Sequence, residues 1–320
     1  MKTAILMSTY NGEKYLEDQI KSLKSQTWKK WDLYVRDDGS TDHTLKIIKN
    51  LARKDKRIHF ISDSEEHLRP MKSFIKLLGE VSADYYFFCD QDDYWLPNKL
   101  ELMLAEIENK NNTIPQLVYC GLKCVDENLK PIVNDFENLL GKVNGKSRFI
   151  GNDMPGCVML FNKKLRDLAI KYTTSYENIV MHDWWIALVA QTFGDITFFD
   201  KKLILYRQHG DNSIGAGING GIIKKTFHKD VLKKQMNLVK ITYQQSEKFY
   251  LTFNRILPSD YKRFLKDYIK CGTSGVIYRR KFLKGYRLHG SSWLRYQVYR
   301  FLFVYRLNKI FADCKIKLNT

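Results

Sequence analysis

Three carboxylates, Asp90, Asp92 and Asp93, follow directly on the apolar run Tyr85-Tyr-Phe-Phe-Cys89. A run of that kind reads as a buried strand whose last residues emerge at the edge of a sheet. Open α/β sheets bind their ligands at the carboxyl ends of strands. Asp90 and Asp92 flank Gln91. A pair so spaced can converge on one hard divalent cation, Mg2+ or Mn2+, because carboxylate oxygens suit both. A solvated acidic loop ahead of a helix beginning near Pro97 is the alternative reading. A second acidic group, Asp37-Asp38-Gly39-Ser40-Thr41-Asp42, follows the stretch 31–35. It reads as a turn in which Ser40 or Thr41 caps the next helix, or as a carboxylate offered to the N3–H of a uracil or thymine ring. Ser8-Thr9-Tyr10-Asn11 is a third polar turn, and Tyr10 can stack on such a ring.

The elements that must position these residues are legible in the apolar pattern. Residues 3–9, 31–35, 58–61 and 85–89 read as strands. Between them, Tyr15, Leu16, Ile20 and Leu23 recur at helical spacing, as do Leu45, Ile48 and Leu51, and residues 74–78 belong to a third helix. Alternating strands and helices predict a parallel sheet with helices on both faces. All three polar turns then share one sheet edge, which suits a sugar nucleotide whose diphosphate a metal bridges.

Met7-Ser-Thr-Tyr-Asn-Gly12, Asp37-Asp-Gly-Ser-Thr-Asp42 and Cys89-Asp-Gln-Asp-Asp-Tyr-Trp95 resemble, in order and spacing, the motifs of the family 2 glycosyltransferases. The resemblance spans residues 1–215 and implies a GT-A, Rossmann-like fold: a mostly parallel sheet flanked by helices. Within that family, Tyr85-Tyr-Phe-Phe-Cys-Asp-Gln-Asp-Asp-Tyr-Trp95, His182-Asp-Trp-Trp185 and Tyr206-Arg-Gln-His-Gly-Asp-Asn-Ser-Ile-Gly215 are most similar to bacterial rhamnosyltransferases of cell-wall and capsular polysaccharide assembly. The resemblance implies that Asp38 holds the pyrimidine, with Ser8, Thr9 and Tyr10 lining the base pocket and Arg69 and Gln91 on the donor side. It makes Asp92 the principal ligand of Mn2+ or Mg2+, Asp90 a ligand or ribose contact, and His209 a contact to metal or diphosphate. Asp183 becomes the catalytic base, His182 replacing the Glu of many members. Gly156, Trp184 and Trp185 are assigned to the acceptor. One base and one metal suffice for a single displacement with inversion. From dTDP-L-rhamnose this gives an α-L-rhamnoside; UDP-galactose, UDP-glucose and UDP-N-acetylhexosamine are alternative donors.

Composition bounds the remainder. The 320 residues carry a formal charge of +18. Residues 221–320 hold 23 Lys and Arg against 5 Asp and Glu, so the excess lies there and the first 220 residues balance. The organisation expected is a catalytic domain over 1–220, with a nucleotide-sugar half (1–110) and an acceptor half (111–220), then a basic helical region over 221–320. Leu232, Met236, Leu238 and Val239 predict one helix there. Tyr261, Phe264, Leu265, Tyr268 and Ile269 predict a second, and residues 293–310 a third. Basic residues among interfacial aromatics suit an anionic membrane surface and a lipid-linked acceptor; packing on the catalytic sheet, or a homo-oligomer interface, is the alternative. Six cysteines show no C-x-x-C spacing, and Cys89 and Cys157 read as reduced core residues. The apolar patch 4–7 is too short for a signal peptide, which predicts a cytoplasmic protein on the inner membrane face. A nucleic-acid-binding protein is disfavoured, since no such module is present and the acidic edge repels phosphate. A nucleotide-sugar sensor without turnover is disfavoured by the intact Asp38, Asp92 and Asp183 set.

Overall fold

A computed structural model describes residues 1–63, 67–209 and 229–312. Cys314 and residues 210–215 of the motif beginning at Tyr206 lie outside the described residues. The chain forms two compact units. One comprises Met1–Asn138, Met154–Thr174 and the chain from Met181 through the last strand; the other comprises Leu139–Asp153, Ser175–Val180 and the C-terminal helices.

The first unit is built on β1 (Thr3–Thr9), β2 (Asp32–Asp37), β3 (Ile58–Ile61), β4 (Tyr85–Cys89), β5 (Tyr94–Trp95), β6 (Gln116–Val125), β7 (Met159–Asn162) and β8 (Asp195–Arg207). Their order in the sheet is β3-β2-β1-β4-β7-β6-β8-β5. The β1–β2, β1–β4, β2–β3 and β6–β8 pairs are parallel, whereas β7 runs antiparallel to both neighbours and β5 antiparallel to β8. The sheet is therefore mixed, parallel on the side that carries the three polar turns. Register places Thr9 beside Asp37 and Met7 beside Cys89, so β1, β2 and β4 end at one edge.

Helices α1 (Leu16–Lys24), α2 (Thr44–Lys54), α3 (Arg69–Glu80), α4 (Lys99–Glu108), α5 (Lys163–Tyr172) and α6 (His182–Phe193) accompany the sheet. Every residue of β4 is buried, which is why that strand reads as a continuous apolar run rather than an alternating one. Each fully buried Phe of this strand contributes about 1.5–3 kcal/mol. Ser40 and Thr41 do not cap α2. The helix begins later, at Thr44, whose N–H donates to Asp42 Oδ1 at 2.9 Å, while the Ser40 hydroxyl donates to Asp37 Oδ1 at 2.6 Å.

The second unit holds α7 (Lys229–Phe253), α8 (Ser259–Lys270), α9 (Val276–Tyr286) and α10 (Trp293–Ala312). Phe149, from the 3-10 turn Gly145–Phe149, is fully buried against Phe249 and Phe264, at ring-centroid distances of 5.2 and 5.4 Å. Among the described residues no helix is long and apolar enough to cross a membrane.

Candidate active site

Ser8 is the one position of β1 that is not buried. Thr9 is buried, and its hydroxyl donates to Asp37 Oδ1 at 2.7 Å. Asp37 also accepts the Ser40 N–H at 2.9 Å, and the Ser40 hydroxyl accepts the Asn11 N–H at 2.9 Å. Asp37 thus ties the first two turns together. Tyr10 is 50% exposed above them. Gln91 holds its backbone on both sides, accepting the Tyr10 N–H and donating to the Tyr10 carbonyl, each at 3.0 Å. Gly12 permits this clasp, because a Cβ there would lie 2.4 Å from Gln91 Oε1.

Asp38 is 5% exposed. Its Oδ1 accepts Arg36 Nη1 at 2.7 Å and the Leu68 N–H at 2.8 Å; its Oδ2 accepts the Arg69 N–H at 2.7 Å. His67 and Arg69 both adopt left-handed backbone, with φ of 57° and 64°. Such residues cost about 1–3 kcal/mol each unless the surroundings hold them; here the Asp38 carboxylate holds the Arg69 N–H and the Asp38 carbonyl accepts the His67 N–H at 3.3 Å. The Arg69 side chain is exposed. A carboxylate oxygen takes about two hydrogen bonds, so Oδ2 retains capacity for one more donor.

Asp90 and Asp92 are half-buried and Asp93 is fully buried. The end of β8 secures this segment. Arg207 donates its N–H to Asp93 Oδ1 at 3.1 Å and its Nε–H to the Asp92 carbonyl at 2.8 Å. Two residues on, His209 Nε2 lies 2.8 Å from Asp92 Oδ2. Burial pushes the Asp90 carboxyl up, and the neighbouring Asp92 and Asp183 charges push it further. Asp93 is raised for the same first reason, then by Asp92 and Asp90.

Two donor sets for a cation are available. Ligand atoms of Asp90, Asp93 and Cys157 lie within 4.8 Å of one another, and the buried Asp93 carboxyl meets the Cys157 thiol. Cys157 is fully buried and its thiol is held well above its usual range by that burial. A protonated thiol is a poor ligand for Mg2+ or Mn2+. Asp90 and Asp92, which are half-buried, with His209 beside Asp92, carry the oxygen and imidazole donors that suit a hard cation.

Asp183 lies in the first turn of α6, whose N-cap is Met181. It is 7% exposed. Burial pushes its carboxyl up to about 6, while the N–H groups of Trp184, Gly156 and Asp183 itself pull it down. Gly156 opens the 3-10 turn Gly156–Val158, and a Cβ there would stand 3.0 Å from His182 Nε2 and 3.4 Å from Phe88 Cβ. That close approach is what lets the turn reach both Asp183 and the end of β4. His182 stacks on Phe74 at 4.0 Å and meets Phe88 edge-on at 4.6 Å. Burial lowers it to about 3, so the ring is neutral and serves as an aromatic spacer rather than a second acid. Trp185 is fully buried, its indole N–H donating to Thr173 at 3.0 Å, and belongs to the core; Trp184 is 6% exposed.

Lys99 is a site-proximal residue that sequence patterns do not reveal. It is fully buried at the start of α4, its ammonium 2.7 Å from the Cys157 carbonyl and 3.1 Å from the Trp95 ring centroid. Burial lowers it to about 8, opposed by the Cys120, Cys157 and Cys89 thiols and by Asp93. It sets a positive charge behind the acidic segment. A lysine beside Asn98 at a helix start looks like a solvated residue, so spacing gives no signal.

Comparison with known proteins completes the description. The chain is 29% identical over 248 residues to the dTDP-rhamnosyl transferase RfbG of Shigella flexneri, covering 71% of this chain and 82% of that one. The crystal structure of S. aureus TarS matches with a TM-score of 0.55 at 16% identity, over 85% of this chain and 43% of TarS. Its 1–349 piece in complex with UDP-GlcNAc matches at 0.53 and 15% identity, over 98% and 92%. The mannosyltransferase PcManGT of Pyrobaculum calidifontis, in complex with GDP-Man and Mn2+, gives 0.53 at 12% identity, over 88% and 73%. These structural likenesses establish the GT-A fold. Glycosyl transferase family 2 matches residues 4–168, more than half of the chain and the whole of the acidic edge, and the protein belongs to that family of sugar-transferring enzymes.

Proposed function

We propose that the protein is an inverting transferase that moves L-rhamnose from dTDP-L-rhamnose to a hydroxyl of a lipid-linked glycan in bacterial surface polysaccharide assembly. The observation that carries the catalytic part is the placement of Asp183. Its carboxylate is close enough to the end of β4 to raise Asp90, and is itself raised to about 6. A base so tuned is ionised near neutral pH yet still takes up a proton. Asp183 accepts the proton of the attacking hydroxyl, which approaches past Gly156 and Trp184. Asp38 receives the N3–H of the thymine through the acceptor capacity of Oδ2, and Tyr10 stacks on the ring. Ser8, Thr9 and Gln91 shape that pocket, and the exposed Arg69 side chain meets the nucleotide. Asp92 and Asp90, with His209, would hold Mn2+ or Mg2+, which supplies the positive charge that offsets the leaving diphosphate.

The rhamnosyl assignment is supported by the relative named as a dTDP-rhamnosyl transferase. The UDP-GlcNAc and GDP-Man complexes of the two solved relatives make those donors the competitors to test. Contact with the anionic inner face of the membrane is assigned to residues 221–320, through their charge and aromatics. The test is nucleoside diphosphate release from dTDP-L-rhamnose, UDP-GlcNAc, UDP-galactose and GDP-mannose with a lipid-linked acceptor, with and without Mn2+ or Mg2+. The expected result is metal-dependent release from dTDP-L-rhamnose and an α-linked product by NMR. Preference for another donor overturns the sugar assignment, and a β-L-rhamnoside overturns inversion.

A further inference from the structure

Between α9 and α10 lies a groove of about 750 Å3, within the C-terminal unit. Arg280, Lys284, Arg287 and Arg300 line it, and all four are exposed. Phe301 and Tyr305 stand at its rim, 53% and 43% exposed, and Leu283 and Val304 form an apolar floor. The Arg280 guanidinium lies over the Tyr305 ring at 5.3 Å and donates to its hydroxyl.

Two features define what fits there. The first is charge. Residues 268–312 contain ten Lys and Arg and no Asp or Glu. Asp267, immediately before this stretch, is taken by the Tyr278 and Tyr286 hydroxyls at 3.1 and 2.6 Å, and Asp313, immediately after it, lies outside the described residues. Among the described residues, no carboxylate forms an ion pair with Arg280, Lys284, Arg287 or Arg300, so the complement of the groove is an anion. The second is exposed apolar surface. α10 turns Tyr299, Leu302, Phe303, Leu307 and Ile310 inward and leaves Trp293 75% exposed, two turns before Arg300 on the helix. Ile277 on α9 is 74% exposed. Aromatic and aliphatic side chains bracketing a cationic groove match the boundary between phosphate headgroups and acyl chains. A free anion or a nucleic acid would satisfy the cations and leave Ile277 and Trp293 in water.

We propose that this groove seats the phosphate headgroup of an anionic bilayer lipid, with Trp293, Phe301 and Tyr305 entering the interfacial layer. The proposal rests on the membrane-contact reading for the source of the anion, and sharpens it from a basic surface to one site. The full-length chain is floated with phosphatidylcholine vesicles containing roughly one-third phosphatidylglycerol, and with pure phosphatidylcholine. The double variant Arg280→Glu/Arg300→Glu is compared with Arg263→Glu/Lys266→Glu, which makes the same charge change at exposed positions of α8. All four side chains are on the surface, so unchanged circular dichroism and thermal midpoints are expected. The groove variant should lose binding to anionic vesicles about tenfold or more and the α8 variant less than about twofold. The uncharged change Phe301→Ser should also weaken it several-fold. Equal losses in the two charge variants overturn the groove while leaving membrane contact standing. Failure of the wild type to float with anionic vesicles overturns both. Release of the wild type by inorganic diphosphate at matched ionic strength, in preference to sulfate, overturns the lipid as occupant in favour of a soluble anion.

Discussion

Asp183 combines two properties that pull in opposite directions. As the proposed base it works only when ionised, so kcat/KM should rise with pH through about 6 and level above it. As a buried acid it costs stability when ionised. The folded chain keeps a proton that the unfolded chain loses near pH 4, so stability falls as pH rises from about 4 to about 6, and the penalty is complete above. Asp183→Asn removes both. Transfer should drop about 10²–10⁴-fold, donor affinity should stay within about twofold, and the thermal midpoint near neutral pH should stay level or rise. Transfer at near wild-type rate would take the role of base from Asp183. Asp92 lends itself to a different separation. His209 is oriented by its 2.8 Å contact with Asp92, so Asp92→Asn should weaken metal-dependent donor binding, read by calorimetry with and without Mn2+. His209→Gln should weaken it less, since it leaves both carboxylates in place. An Asp92→Asn protein with unaltered metal dependence would remove Asp92 from the ligand set.

At the scale of elements, the strands that end at the site were the most legible part of the chain. β1 and β4 are continuous apolar runs because helices cover both faces of the sheet, and their polar successors mark where the runs leave the core. Hence Ser8, Tyr10, Asp38, Asp90 and Asp92 could be placed on one edge before any geometry. What could not be read is which acid faces inward. Asp92 and Asp93 are adjacent and identical, and only the Arg207 N–H contact distinguishes the buried one. Lys99 was hidden for the same reason, since burial of a lysine depends on tertiary neighbours. α9 escaped because Arg279, Arg280, Lys281 and Lys284 interrupt its apolar spacing. The Gln91 clasp on Tyr10 offers a test at this scale. In Gly12→Ala the new methyl displaces Gln91, whose amide is the flexible member of the contact. The Tyr10 turn then loses both bonds, and the donor KM should rise several-fold with kcat changed less than about twofold. An equal fall in kcat at unchanged KM would show that Gln91 does not position the donor pocket.

For the whole molecule, packing groups segments that charge composition keeps apart. Leu139–Asp153 and Ser175–Val180 come from the middle of the chain yet belong to the C-terminal unit. Charge composition is blind to this, because 3-10 turns and short loops carry no apolar period. Within that unit Phe149 is sealed by Phe249 and Phe264. The Val180 N–H donates to Gln245 at 2.8 Å, and the Ser147 hydroxyl accepts the His289 N–H at 3.0 Å. Arg148 and Asp153 form a buried pair at 2.8 Å beside them. Ending the chain near residue 220 would leave Phe149 without the Phe249 and Phe264 rings that cover it, and the Val180 N–H and Ser147 hydroxyl without their partners. Exposing a buried Phe forfeits about 1.5–3 kcal/mol. The truncated protein should therefore aggregate or melt at a much lower temperature, read by soluble fraction and calorimetry. Loss of vesicle binding in such a truncation would then say nothing about the membrane, which is why the surface variants of α9 and α10 are the better instrument. A truncated chain that stays soluble and monomeric, and that unfolds cooperatively near the wild-type midpoint, would refute the packing role of the C-terminal helices.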